Sequence, residues 1–255
     1  MRELLRVQIG SRAHGTATEN SDDDQRMVYA LPTAEILRVV DRGKSSIWEE
    51  KEKTGEAIDT TGWELGHYAR LALNCNPTIL EVLWAPILAA DDYGKELRSI
   101  RSCFLSRQRV YDAFRGYASN QLKKMLWEPS AGVWSIRNWK FAEAYLRVLY
   151  QGIVLLNTGE LPVDLTAKEH SDILGVLKLI KQGKTPKGNV IDMADTLERQ
   201  ISTAWGNCHA IPEKADVELV NGFVVALRHD YWIEAKEDTM SDKAPVAGTS
   251  EERPT

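Results

Sequence analysis

The spacing of apolar residues changes near Thr60, and this change predicts an α+β fold. Before it, residues 4–9 and residues 25–31 form short apolar runs that end at Gly10 and at Pro32, as buried strands do. After it, apolar residues recur every three or four positions, which is the spacing of helices packed on a core. We therefore expect a small mixed β-sheet with helices, followed by a helical portion.

The same change suggests three regions. Residues 1–90 hold the strand-like runs and are predicted to form an α/β core. Residues 91–234 are predicted to be a helical portion that completes a cleft. Residues 235–255 are polar, contain proline and have almost no large apolar side chains, a composition typical of a disordered tail.

Two local patterns refine the first region. Residues 45–48 and 57–59 are short extended candidates on either side of a Lys/Glu-rich segment, and they predict a hairpin. Thr61 and Glu64 have the three-residue separation of a capping box, so a helix is expected to start there.

Two aspartates carry the first chemical signal. Asp22 and Asp24 are two residues apart at the start of a predicted strand, so their side chains should lie on one face while Asp23 lies on the other. Like charges this close repel each other unless a cation lies between them. Carboxylates placed beside substrate phosphates are a usual setting for Mg²⁺, with Mn²⁺ as the alternative ion.

The turn before them carries the second signal. Gly10 and Ser11 directly follow an apolar strand and precede a short helix, and backbone N–H groups in such a turn bind phosphate. Arg12 and Arg26 are positioned to add charge-assisted contacts to a triphosphate. Taken alone, the Gly-Ser pair is a common dipeptide, and the aspartate segment could be a solvated turn without function. Together they are the parts needed for nucleotidyl transfer by two metal ions.

The segment Gly10-Ser-Arg-Ala-His-Gly15, followed by Ser21-Asp-Asp-Asp-Gln-Arg26, resembles the signature of the polymerase-β-like nucleotidyltransferases. It is most similar to the branch of RNA-ligase-associated or YcgL-like predicted nucleotidyltransferases. Asn76-Pro77 with Glu81, and the helix that contains Lys140, resemble later segments of that branch, so the likeness spans most of residues 5–205.

The resemblance implies transfer of a nucleoside monophosphate from a triphosphate, with ATP expected, to a hydroxyl of an RNA end, a protein or a small molecule. It also implies a third metal-binding and catalytic carboxylate, for which Asp59 is the candidate and Glu56 the substitute. Asp59 capping the next helix is the equally weighted alternative. Lys140 is expected to contact the nucleotide.

A second function stays open, that of a catalytically inactive nucleotide-binding or antitoxin-like regulatory protein. His14 stands where the branch usually has tyrosine, and Ala144 where it usually has histidine. The departure at Ala144 is what keeps this alternative open.

Composition and the N-terminal sequence indicate the kind of partner and the cellular location to expect. The net charge of −5 argues against a protein that coats nucleic acid by bulk electrostatics. Three widely spaced cysteines form no CxxC pair, which fits a reducing cytoplasm. The first residues lack the pattern of a signal peptide, and no apolar run has membrane-spanning length, so a cytoplasmic protein without membrane attachment is expected.

Overall fold

The structure is a computed structural model that describes residues 1–19, 21–37, 49–54, 58–127 and 134–241. Five strands form one sheet in the order β3-β4-β2-β1-β5. The strands are β1 (Arg2–Gln8), β2 (Asp23–Ala30), β3 (Glu49–Thr54), β4 (Ile58–Glu64) and β5 (Ile87–Ala90). Strands β2 and β4 are parallel and the other pairs are antiparallel, so the sheet is mixed and the predicted α+β fold is confirmed.

One face of the sheet packs against the helices. Leu5 is paired with Val28, and Val28 with Trp63 on the next strand, so these three side chains share a face. All three are buried in the hydrophobic core. By the alternation of β2, Asp24 and Arg26 lie on this helix-facing side too.

Most of the chain after the sheet is helical. The bounds are α1 (Gly10–Ala13), α2 (Thr33–Leu37), α3 (Leu65–Ala72), α4 (Pro77–Leu80), α5 (Asp92–Ser99), α6 (Arg107–Leu126), α7 (Ile136–Thr158), α8 (Ser171–Lys181), α9 (Lys187–Gly206) and α10 (Val217–Ser241). Helix α7 is the centre of the helical portion and packs against α6, α8 and α9. It begins with a capping box formed by Ser135 and Asn138, and it ends at Gly159 in the left-handed conformation.

Two predicted element boundaries are wrong. Thr61 belongs to β4, which continues to Glu64, because pairing with β2 extends the strand through these residues. Helix α3 starts only at Leu65, and its N-cap is Glu64, whose side chain accepts from the N–H of Gly66. The predicted hairpin exists but is shifted, since β3 occupies the segment expected to connect its strands. The first predicted strand of that hairpin, residues 45–48, lies outside the described residues.

Helix α10 also corrects the predicted start of the tail. It continues to Ser241, so residues 235–241 are helical rather than disordered. The buried residues Val220, Phe223 and Leu227 anchor the helix, and adding residues to an existing helix needs no new nucleation. Residues 242–255 lie outside the described part of the chain. The boundary near residue 90 stays a prediction, although the last strand ends there at Ala90.

Within the described residues, no helix is both long enough and apolar enough to cross a lipid bilayer.

Candidate active site

The turn after β1 presses against an acidic side chain of the neighbouring strand. Gly10 has φ +68°, and a Cβ at this position would collide with the carboxylate oxygen Oδ2 of Asp24. Only glycine fits, both for the backbone angle and for the space. The preceding residue, Ile9, is the N-cap of α1 and makes no side-chain cap hydrogen bond to its first N–H groups. The turn and the carboxylate are thus parts of one site.

Asp24 and Asp59 are neighbours across two parallel strands. The register of β2 and β4 pairs them directly, and side chains of paired residues lie on the same face with their strands about 4.8 Å apart. Asp22 precedes β2 and is exposed. Burial raises the pKa of Asp24; Arg26 opposes this, while the charges of Asp22 and Asp59 raise it further. A cation held by these carboxylates would relieve the repulsion.

Asp59 does not cap a helix. It is the second residue of β4, with the rest of the strand between it and α3, whose cap is Glu64. The predicted location at the end of an extended run was therefore wrong. The expectation that Asp59 faces the aspartate pair agrees with its register partner, Asp24. Glu56, the substitute candidate, lies outside the described residues.

Asp23 lies on the opposite face, as alternation along the strand predicts. Gln25, two residues further along β2, donates to its carboxylate at 3.4 Å. Within β2, Asp24 is thereby separated from Asp23.

The carboxylates are a suitable donor set for a hard divalent cation. Among the described residues, no three His, Cys, Asp or Glu side chains are grouped closely enough to hold a metal ion, so Asp22, Asp24 and Asp59 do not form a ready-made site. Mg²⁺ does not require one, because it usually binds one or two carboxylates and completes its octahedron with water and substrate phosphates. The exposed Asp22 and Asp59 and the partly buried Asp24 supply the oxygen ligands that Mg²⁺ prefers, and Mn²⁺ shares this preference.

The two predicted arginines have different surroundings. Arg12 donates from Nε to the carbonyl oxygen of Asp22 at 3.2 Å and from Nη2 to that of Ser21 at 2.9 Å. It therefore fastens the loop that presents Asp22. Arg26 lies over the ring of Trp63 at 5.7 Å, and its buried Nε has no hydrogen-bond partner among the described residues. Arg26 is thus the arginine with donor capacity left for a ligand.

A cavity of about 170 Å³ lies beside this turn and joins the sheet to the helical portion. Its polar lining comes from the turn, from β2, from the Asn76-Pro77 segment and from α7, namely Gly10, His14, Arg26, Thr78, Glu81, Arg147 and Gln151. The side chain of Asn76 caps α4 by accepting from the N–H of Thr78 at 3.0 Å. The segment containing Glu81 is therefore fixed at the cavity wall.

Arg147 is the centre of a polar network that the sequence pattern did not reveal. Its Nε donates to Glu143 at 3.1 Å, and its Nη1 donates to Gln151 at 3.1 Å and lies 3.2 Å from Nε2 of His14. The same ring nitrogen lies 3.4 Å from Glu81. Burial and the Arg147 charge lower the pKa of His14, which favours a neutral ring that accepts from Arg147.

A sequence signal for this network existed only in part. His14 lies inside the glycine-serine motif, and Glu81 follows the Asn76-Pro77 pair, a segment that resembles the same branch. Nothing in the spacing joined them to Arg147, which is 133 positions from His14.

Lys140, predicted to contact the nucleotide, is exposed and does not line the cavity. It precedes Arg147 by two turns of α7, roughly 10 Å. Its charge contributes to lowering the pKa of Lys181, for which burial is the larger cause. Lys181 in turn donates to the carbonyl oxygen of Thr16 at 2.9 Å. Lys140 therefore lies on the surface beside the loop that follows the turn, and Ser11 in the turn itself is partly exposed.

Comparisons with known proteins identify the family of the chain. The family model described as RlaP, RNA repair pathway DNA polymerase beta family, matches residues 1–226. The uncharacterized protein YcgL of Bacillus subtilis (strain 168) is 32% identical over 108 residues, which are 41% of this chain and 40% of YcgL. The chain thus spans well under half the length of this curated relative.

The structure of a nucleotidyltransferase-like protein from Exiguobacterium sibiricum 255-15 aligns with 93% of this chain, and the alignment covers 74% of that protein. Its identity is 12% and its TM-score 0.29, which is too low to support an argument.

Proposed function

The chain belongs to the RNA repair pathway DNA polymerase beta family, and on this premise we propose that it transfers a nucleoside monophosphate from a nucleoside triphosphate to an acceptor hydroxyl. Two observations of one arrangement support the proposal. Gly10 lies directly against the carboxylate of Asp24, and Asp24 is paired with Asp59 across β2 and β4. A phosphate-binding turn beside paired carboxylates is the arrangement that this reaction requires.

In the proposed reaction, the acceptor oxygen attacks the α-phosphorus, and the bond from that phosphorus to the bridging oxygen of the β-phosphate breaks. Pyrophosphate leaves with the electron pair, and Asp59 takes the proton of the attacking hydroxyl. Asp22, Asp24 and Asp59 would hold Mg²⁺, or Mn²⁺ in its place. Divalent cations there would activate the attacking oxygen and neutralise the charge on pyrophosphate.

The remaining predicted residues would bind the triphosphate. The N–H groups and hydroxyl of Gly10 and Ser11 would contact its phosphates, and the unpartnered Nε of Arg26 would donate to a phosphate oxygen. Arg12 would act indirectly, because its guanidinium holds the Asp22 loop. Lys140 would contribute charge from the rim, since it lies outside the cavity lining.

We further propose ATP as the triphosphate and an RNA end as the acceptor, with a protein or small-molecule hydroxyl as the alternatives. The family description, which names RNA repair, supports the RNA acceptor. Three free cysteines, Cys75, Cys103 and Cys208, support a reducing cytoplasm as the place of the reaction.

The test is transfer of label from α-³²P nucleoside triphosphates to unstructured RNA with Mg²⁺, with Mn²⁺ or with EDTA. We expect metal-dependent transfer that Asp24→Asn and Asp59→Asn each reduce by at least about 100-fold, because each removes a charge that holds the metal. Asp172→Asn, which removes an exposed carboxylate on α8, is the matched control and should transfer normally.

A parallel thermal-shift measurement separates binding from turnover. Stabilisation by Mg²⁺ and triphosphate without any transfer would instead support the inactive nucleotide-binding function. Normal transfer by Asp24→Asn would refute the proposed site.

A further inference from the structure

A second cavity, of about 420 Å³, opens where α6 ends and α7 begins. Its lining combines the cations Lys123, Lys124 and Arg137 with the aromatic rings of Trp127 and Phe141. We call this cavity the junction groove. Trp127 is 69% exposed, which is unusual because tryptophan is highly buried on average. Leu126 and Ile136, which flank the groove in sequence, are 51% and 77% exposed. An exposed apolar patch of this kind marks an interaction site.

The backbone beneath Trp127 is held in place. Asn138 is 4% exposed, and its Nδ2 donates to the carbonyl oxygens of Met125 at 2.8 Å and of Trp127 at 2.9 Å. Its Oδ1 accepts from the N–H of Ser135 at 3.0 Å. This buried side chain ties the end of α6 to the start of α7, so the groove is a fixed feature that leaves the indole facing solvent.

The cations of the groove are held together although they repel each other. Nζ of Lys124 lies 5.4 Å from the ring centre of Phe141, and the guanidinium of Arg137 lies 5.5 Å from it. Each contact is a favourable cation–π interaction. Among the described residues, no acidic side chain lines the groove, although the whole chain has a net charge of −5. The groove is therefore a local positive surface that complements an anion.

Helix α7 connects this groove with the candidate active site. Arg137, Lys140 and Arg147 are three and seven residues apart, so they lie along one face of the helix. Arg137 lines the junction groove, and Arg147 lines the 170 Å³ cavity beside Gly10. Ten residues of helix separate them by about 15 Å. Arg147 is nearly buried and ion-paired with Glu143, so the exposed Lys140 is the cation that a strand leaving the groove would meet on its way towards the candidate active site.

We propose that the junction groove binds a single-stranded nucleic acid, whose bases stack on Trp127 and whose phosphates contact Lys124 and Arg137. Stacking platforms combined with cations are how proteins bind single strands without reading their sequence. A second copy of this chain fits less well, because its own groove would bring cations against cations. Binding of the strand does not depend on the proposed function. Only the idea that the bound strand supplies the acceptor hydroxyl rests on that function.

The test measures fluorescence anisotropy of a labelled oligouridylate of about 12 nucleotides, within the site sizes common for such surfaces. Trp127→Leu keeps an apolar side chain but loses the stacking face, so the Kd should rise by about 5- to 100-fold. Trp127→Tyr keeps an aromatic face and should bind nearly as well as the wild type. Arg137→Gln should lower the salt dependence of log K by about 0.7, the value for one phosphate contact on a single strand.

Arg199→Gln is the matched control, because it removes an exposed arginine near the other end of α7. It should leave both the Kd and the salt dependence unchanged. Circular dichroism and thermal melting of each variant identify any that has failed to fold, and Trp127→Tyr preserves the test if Trp127→Leu is among them.

Wild-type affinity in both Trp127→Leu and Arg137→Gln would overturn the proposal. Equal affinity of the wild type for a duplex of the same length would overturn it too, because paired bases offer no exposed face to Trp127. Sedimentation that shows a dimer dissociated by Trp127→Leu would assign the groove to self-association instead. Oligonucleotide binding through the groove without nucleotidyl transfer would refute only the proposed function. Transfer without such binding would refute only the proposal that the groove binds a single strand.

Discussion

Replacing Gly10 by alanine tests whether the turn after β1 and the carboxylate of Asp24 form one reactive centre. Gly10 has φ +68°, and a non-glycine residue in this region costs roughly 1–2 kcal/mol. The new Cβ would also collide with Oδ2 of Asp24. Either the turn or the carboxylate must then move by roughly 1 Å, and misplacement of that size can cost about 100-fold in rate. We expect transfer to suffer far more than stability.

Gly159→Ala is the matched control for this prediction. Gly159 has φ +77° at the end of α7, and a Cβ there would lie 3.2 Å from the carbonyl oxygen of Ala210, so no residue of the candidate site is touched. Thermal denaturation should show Tm lowered by about 2–8 °C in both variants. The initial rate of α-phosphate transfer should fall about 100-fold in Gly10→Ala only. Equal rates in the two variants would refute the reasoning that couples Gly10 to the chemistry of Asp24.

Two further predictions concern the same turn. Ser11→Ala should raise the Kd for the triphosphate by roughly 5- to 10-fold, the equivalent of a hydrogen bond of about 1–1.5 kcal/mol; calorimetric titration that finds an unchanged Kd would remove Ser11 from phosphate contact. Burial lowers the pKa of His14 below its usual 6.5, so below about pH 6.5 the unfolded chain binds more protons than the folded chain. The His14 contribution to the free energy of unfolding should therefore fall as the pH falls through that value. His14→Gln should remove this part of the decline in urea denaturation between about pH 5 and 7.5, and identical profiles for the two proteins would contradict the assignment.

Much of the sheet and part of the site could be predicted because their signals are local. Alternation along a strand requires only φ and ψ typical of an extended chain, so the separation of Asp23 from Asp24 followed from their spacing. The glycine at position 10 was likewise visible where the apolar run stops. The helical portion predicted for residues 91–234 contains the long helices α6 and α7.

Other expectations failed where strand pairing competed with a local motif. Thr61 and Glu64 have capping-box spacing, yet β4 pairs with β2 through both residues. Pairing with the central strand β2 and burial of Trp63 in the core outweigh one local cap. The cap is made instead by Glu64, which also binds Arg228 of α10 in a buried ion pair. A local sequence pattern cannot predict that Glu64 pairs with Arg228, which lies 164 positions away.

By itself, the sequence determined the first two buried strands, the glycine-serine turn between them and the opposite faces of Asp23 and Asp24, because each depends on backbone geometry over a few residues. Only the tertiary structure decided that Asp59 pairs with Asp24, that Arg147 contacts His14 and that Trp127 lies in a groove with Arg137. Those contacts depend on strand register and on helix packing. Register and packing are set by burial of the whole core rather than by any one segment.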